Sequence, residues 1–261
     1  MELTKSNYYG REANQEFMSV SQYHELVGTQ YSCEARGMAI YDGKWENKTS
    51  TPMLVGSYVD AYFDGTLPEF KFLHPKLMTI KGELRAEFKQ AEQIIEFAKK
   101  DEYFMEIMNG EKQTILTGEL FGVKWKARLD VLHSDFIVDL KVIRSIKEKI
   151  WTGAGKSTFI DAFDYLSQGA IYQQLVLQKT GKLMPFYLAC LTKEENPDKE
   201  IIYIDDDTLL SSLIQIELNM PHVIALRNHE EPPVRCGQCE YCRSTKVLKE
   251  PISYKDLRDN F

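Results

Sequence analysis

The run Lys126-Ala-Arg-Leu-Asp-Val-Leu-His133, Ser134-Asp135, Phe136-Ile-Val-Asp-Leu-Lys-Val142 constrains this chain more than any other. Apolar and polar residues alternate on both sides of a short polar dipeptide, the pattern of two strands joined by a tight turn. A two-residue turn at Ser134-Asp135 sets His133 against Phe136, Val131 against Val138, Leu129 against Leu140 and Ala127 against Val142. The last six residues are all apolar, so that face is core. The opposite face sets Asp130 against Asp139 and Arg128 against Lys141. Like charges directly opposed on a sheet repel, so the two carboxylates need compensation. A divalent cation supplies it, and hard oxygen ligands suit Mg²⁺ or Mn²⁺. Diagonal salt bridges, Asp130 to Lys141 and Asp139 to Arg128 on a solvated face, would serve equally, and spacing alone leaves both open.

Around this hairpin the periodicity predicts three helices, then strands, a helix, a strand and a final helix. Ser19 or Ser21 caps the first helix, and Thr51-Pro52 opens a second over 52–63 that carries Asp60. A third, amphipathic helix spans 84–108 and stops at Asn109-Gly110. Period-two alternation over 113–143 gives the strands, with Glu119 at the end of the first. Helical spacing returns over 159–179, 184–192 reads as a buried strand, and 207–227 as a helix. The order fits one α/β (α+β) domain over residues 1–261, a central mixed sheet flanked by helices.

No run of about 18 apolar residues is present, so no membrane span is expected. The polar N-terminus lacks a secretory signal, which makes the reducing cytoplasm the expected compartment. A formal charge of −7 disfavours coating nucleic acid by bulk charge. Locally, however, Lys141, Arg144, Lys147, Lys149 and Lys156 are interrupted only by Glu148.

Asp130, followed nine positions on by Asp139-Leu140-Lys141, resembles the PD-(D/E)xK nuclease signature. The later helix contains Tyr165-Leu-Ser-Gln168-Gly-Ala-Ile-Tyr172, similar to the Gln-x-x-x-Tyr motif of the RecB-type branch, with Tyr165, Gln168 and Tyr172 on one helix face. Their order is similar to that of RecE-like phage and prophage exonucleases, the exodeoxyribonuclease VIII group, over residues 50–195. The resemblance implies a restriction-endonuclease-like core and Mg²⁺- or Mn²⁺-dependent hydrolysis of duplex DNA for recombination end resection. It also implies a single-strand annealing recombinase as partner and a homo-oligomer. Asp130, Asp139 and the Leu140 carbonyl would hold the metal, Lys141 would orient the attacking water, and Gln168 and Tyr172 would position the strand. Members of the group carry a histidine ligand on an early helix. Here Asp60 stands at that place, with Glu119 and Tyr165 as further candidates. A non-catalytic DNA-binding or assembly module that retains the fold is the competing class, and metal indifference would mark it.

Cys236-Gly-Gln-Cys239-Glu-Tyr-Cys242 sets three thiols at two-residue spacings in a chain with five cysteines. This density points to metal. Cys33 completes a set of four, while Cys190 sits in an apolar strand as core. One early cysteine and a C-terminal trio resemble the iron–sulfur staple of AddB-like and CRISPR-associated nucleases. A [4Fe–4S] cluster is therefore the first expectation and Zn²⁺ the alternative, with the 228–261 tail tied to the N-terminal region. Gly153-Ala-Gly-Lys-Ser-Thr158 has isoleucine at position 150, where an ATP-binding P-loop needs glycine. It is expected to be a flexible basic loop, and ATP is not expected as a ligand.

Overall fold

A computed structural model describes residues 1–248 and 250–259; position 249 and the last two residues of the predicted tail lie outside the described residues. Seven helices precede the sheet: α1 (Arg11–Glu16), α2 (Val20–Leu26), α3 (Glu34–Tyr41), α4 (Thr51–Phe63), α5 (Leu67–Leu73), α6 (Ala86–Lys99) and α7 (Glu102–Ile107). The strands β1 (Glu111–Leu120), β2 (Val123–Leu132) and β3 (Ile137–Ile143) follow, then a small hairpin, β4 (Ile150–Thr152) and β5 (Gly155–Ser157). Helices α8 (Phe159–Ala162) and α9 (Tyr165–Thr180), strands β6 (Phe186–Thr192) and β7 (Lys199–Ile204), and helices α10 (Asp206–Arg227), α11 (Glu240–Ser244) and α12 (Tyr254–Asp259) complete the described chain.

The main sheet has the order β1-β2-β3-β6-β7, with β3 and β6 parallel and the other neighbours antiparallel. It is the expected mixed sheet. Helices cover both faces, which is why β6 is a continuous buried run rather than an alternating one. One core packs Met18, Trp125, Leu129, Ile171 and Phe186 beneath α2, α9 and α10. The other packs Val55, Tyr58, Ile94, Val138 and Leu140 beneath α4, α6 and α7.

The central hairpin has the predicted register at its turn, where Val131 pairs with Val138 and Leu132 with Ile137. Beyond these two pairs the strands part. The Ala127–Val142 and Leu129–Leu140 pairs are not formed, because Asp130 turns its own carboxylate onto the Leu140 N–H at 2.8 Å. A side chain thus takes the place of a backbone ladder partner.

Three further expectations need correction. The 84–108 helix is two helices, because Asp101 caps a new start by accepting from the Phe104 N–H at 3.0 Å. The 159–179 helix likewise breaks at Asp164, which sits in the left-handed region (φ +53°) and caps α9 through Ser167. The expected flexible loop is the β4–β5 hairpin, with Trp151 paired to Lys156. Its glycine-lysine stretch is strand and turn, not a loop wound onto a helix N-terminus.

Among the described residues one helix, α10, is long and apolar enough by length and composition to cross a membrane. In the structure it packs Leu209, Ile216, Met220, Val223 and Leu226 into the core.

Gly169 fixes how closely α9 approaches the sheet. A Cβ there would lie 2.6 Å from Phe186 Cδ1 and 2.9 Å from Leu209 Cδ2, both on core side chains with little room to move. Gly169→Ala is expected to cost about 1–3 kcal/mol, read as a lowered urea midpoint. Because Gln168 is the adjacent residue, the same change displaces the amide described next.

Candidate active site and cysteine centre

Alternation along β3 puts Asp139 and Lys141 on one face, beneath the first turns of α9. Lys141 Nζ lies 2.6 Å from Asp139 Oδ2 and donates to Gln168 Oε1 at 2.8 Å. Gln168 Nε2 donates to Asp139 Oδ1 at 2.7 Å and to the Tyr172 hydroxyl at 2.9 Å. Four of the predicted residues therefore form one connected chain. The i, i+4 spacing of Gln168 and Tyr172 brings their polar ends together, and Tyr172 is otherwise packed in the core. Tyr165, one turn earlier, offers its ring face to Lys141 Nζ at 4.4 Å.

The electrostatics are those of crowded charge. Burial opposes the Lys141 ammonium, but Asp139, Tyr165 and Asp130 more than offset it and raise its pKa above the usual lysine range. Burial, reinforced by the negative charges of Asp139 and Asp60, drives Asp130 well above the ordinary carboxyl range. On α4, Asp60 shares the cleft wall with Leu140 and Lys141. Burial pushes it up to about 7, with Lys141 pulling down and Asp64 and Asp139 pushing up. Asp139 Oδ2 is buried, and the Lys141 ammonium at 2.6 Å is its ion-pair partner.

The chemistry of the donor set tests whether a divalent cation suits the site. Asp139 acts electrostatically on both Asp130 and Asp60, and all three offer hard oxygens. A residue's N–H and C=O leave a strand on the same edge, so the Leu140 carbonyl faces the Asp130 side as well. Hard oxygens of this kind suit Mg²⁺ or Mn²⁺, but among the described residues no three acids bring their carboxylate oxygens within 4.8 Å of one another, and Lys141 rather than a third carboxylate sits against Asp139.

Two expectations fail here. The diagonal salt bridge from Asp139 to Arg128 is not formed, since Arg128 stacks over Tyr9 at 4.9 Å and Tyr8 at 5.8 Å. Glu119 does not join the cluster. It is exposed at the other end of the β1–β2 hairpin, paired with Lys124, with its backbone held by Gln178. The strap carrying Tyr8 and Tyr9 was missed altogether. Its anchor is the buried Lys126, which donates to the Asn14 side chain at 2.7 Å and to the Tyr8 carbonyl.

The raised carboxyl pKa gives a stability test. An acid whose folded-state pKa is raised keeps a proton that the unfolded chain has lost, so metal-free stability falls as pH climbs above the ordinary range near about 4. In Asp130→Asn the amide oxygen would still accept the Leu140 N–H without the charge. That substitution is therefore expected to stabilise the protein by about 1 kcal/mol at pH 8.5. The gain should shrink toward pH 5, as measured by urea unfolding with divalent ions withheld.

The four cysteines form a second centre. The sulfurs of Cys33, Cys236, Cys239 and Cys242 all lie within 4.8 Å of one another. Individual separations are 3.5 Å for Cys33–Cys242, 3.7 Å for Cys33–Cys239 and 3.9 Å for Cys236–Cys242. Burial pushes the Cys33 thiol up to about 12. At Cys236 burial acts in the same sense, but the N–H groups of Cys239 and Gln238 bring the thiol down to about 6. Around the centre, Val234 donates to Glu34 at 2.8 Å and Ala35 donates to the Val234 carbonyl at 3.1 Å, so the tail is tied to α3. Cys190 is fully buried in β6, as expected of core.

A mixed sheet carrying Asp130 and Asp139-x-Lys141 on adjacent strands, with the amide of the next helix on the second acid, defines a PDDEXK-like protein. The family model described as "PDDEXK-like domain of unknown function (DUF3799)" matches residues 19–245, and the chain belongs to this family. A crystal structure of a protein from Eubacterium rectale named "Putative exonuclease" is 48% identical, with 100% of both chains covered and a TM-score of 0.96. No curated protein matches. Family and neighbour together support a nuclease.

Proposed function

We propose that this protein is a Mg²⁺- or Mn²⁺-dependent exodeoxyribonuclease that hydrolyses phosphodiester bonds of duplex DNA during recombination-type end resection. The observation that carries the reading is the buried Asp139–Lys141 pair, 2.6 Å apart, which Gln168 bridges from the next helix. Asp130, Asp139, Asp60 and the Leu140 carbonyl would hold the cation. When bound, it supplies Lewis acidity to the scissile phosphate and acidity to a water molecule. Lys141 keeps its proton and offers positive charge where the phosphate gains negative charge. Gln168 holds Asp139 and Lys141 at a fixed separation, and Tyr172 holds Gln168 in turn. Tyr165 supports Lys141 from below its ammonium. A single-strand annealing recombinase acting on the resected tail, and self-assembly around DNA, belong to the same reading.

At the cysteine centre we propose one Zn²⁺ ion. Four thiolates each about 2.3 Å from one tetrahedral ion stand about 3.8 Å apart; three of the observed separations, 3.5, 3.7 and 3.9 Å, lie near that value, and all four sulfurs lie within 4.8 Å of one another. A [4Fe–4S] cubane interposes four irons, one per thiolate, and would hold the sulfurs farther apart. The test of the nuclease reading is digestion of end-labelled linear duplex, single-stranded and circular DNA with Mg²⁺. Linear duplex should be shortened from an end while the circle survives. Cutting of the circle would refute an exonuclease, and absence of cutting with undiminished DNA binding would mark the assembly module.

A further inference from the structure

Lys141 opens onto a cleft of about 860 Å³ between α4 and the β4–β5 hairpin. Two large aromatic side chains line it while remaining exposed: Trp151 at 70% and Tyr31 at 51%. Both rings belong to one cleft, so they form a grouped exposed surface rather than scattered single residues, and Lys156 Nζ lies 5.6 Å from the Trp151 ring centroid. Tyr31 stacks on Phe163 with centroids 5.7 Å apart and planes 18° apart, and Phe163 stacks on Tyr165 at 5.8 Å and 26°. Tyr165 is the ring that carries Lys141 Nζ at 4.4 Å. An aromatic ladder thus runs from the solvent edge of the cleft to the candidate catalytic ammonium.

The walls carry the complementary charge. Arg144, Lys149 and Lys193 line the cleft with Lys141, against Asp60 and a Glu148 that Arg144 already pairs at 3.1 Å. On the α4 side, Gly56 leaves the cleft open, since a Cβ there would meet nothing nearer than Val142 Cβ at 4.0 Å.

We infer that this cleft binds an unpaired nucleic-acid strand, with bases stacked on Trp151 and Tyr31 and phosphates tracked by the basic wall. A base can stack on a protein ring only when its face is free, and a paired duplex buries those faces against neighbouring bases. Aromatic faces interleaved with cations are therefore the chemistry of a single strand. The inference rests on the nuclease reading and deepens it: a duplex end would have to fray, feeding one strand along the ladder toward Lys141.

The test compares labelled oligo(dT), an abasic strand of equal length and a blunt hairpin duplex, by fluorescence anisotropy in the non-cutting Asp139→Asn protein. Trp151→Ala in that background should weaken oligo(dT) binding about 10–100-fold, at about 1–3 kcal/mol per stacked base. Trp151→Phe should restore most of it, and the abasic strand should bind weakly to all three proteins. Equal binding of oligo(dT) by the alanine variant, equal binding of the abasic strand, or tighter binding of the blunt duplex would each overturn the inference. Trp151 is exposed on a hairpin, so an unchanged melting temperature checks the fold. Hydrolysis of bis(p-nitrophenyl) phosphate by the wild-type protein with Mn²⁺ is measured separately, because that ester needs the metal site alone. Its absence would count against the nuclease reading rather than against the ladder.

Discussion

Asp139→Asn is expected to lower Mg²⁺-supported DNA hydrolysis by about 10³-fold or more, equivalent to roughly 4 kcal/mol of transition-state stabilisation. The size follows from what the substitution leaves intact. The amide oxygen can still accept from Gln168 Nε2, so the Lys141–Gln168–Tyr172 connections have no reason to break. Lys141 also keeps the carboxyl groups of Asp130 and Asp60 as neighbours. What disappears is the negative charge of the buried carboxylate that now faces Lys141. The expected signature is a protein with an unchanged far-UV spectrum, a urea midpoint lowered by loss of the buried Asp139–Lys141 ion pair, weakened Mg²⁺ affinity in calorimetry, and a lost rate. Near wild-type turnover would show that Asp139 is a structural partner of Lys141 and nothing more.

Loss of the cysteine centre is expected to have the second large effect. Cys242 is 2% exposed and lies 3.5 Å from the similarly buried Cys33, the residue immediately before α3. Structural zinc sites contribute about 10–16 kcal/mol of apparent binding energy, all of it unavailable to the unfolded chain. Cys242→Ser should therefore lose the metal and lower the melting temperature by about 10 °C or more, at about 2–4 °C per kcal/mol in a chain of this size. The tail and α3 should separate first, exposing Trp45, which now meets Tyr241 edge-on at 5.4 Å. Wild-type protein purified without oxygen should be colourless and contain one zinc per chain. Brown protein absorbing at about 400 nm, with iron in fourfold excess, would reinstate the cluster.

Much of the site was legible because strand alternation and helical periodicity fix which residues share a face. Asp139 and Lys141 lie two apart on a strand, and Gln168 and Tyr172 lie four apart on a helix. The meeting of strand and helix was legible only through the family resemblance, since nothing in local spacing brings α9 over β3. The register was readable at the turn and lost two pairs later. There a carboxylate substitutes for a backbone partner, a choice made by the packing of both strands rather than by either alone. Breaks at Asp101 and Asp164 were hidden because apolar periodicity continues across them, while the signal that stops the helix is one capping side chain. Short elements such as β4, β5 and α1 have too few residues for a period to register. The Tyr8–Tyr9 strap against Arg128 depends on contacts more than a hundred positions apart in sequence. For the cysteines, spacing indicated a metal but not which one. Sulfur separations became available only with the fold.

Hydrolysis of DNA by the Asp130–Asp139–Lys141 constellation with a divalent cation can be read from release of acid-soluble nucleotide. The substrate is end-labelled linear duplex, with Mg²⁺ present and withheld, for the wild-type protein and Lys141→Ala. Release by the wild-type protein should depend on Mg²⁺, and the variant should be slower by about 10²–10³-fold. Equal release by both proteins, or release that ignores Mg²⁺, would show that this constellation is not the catalytic centre.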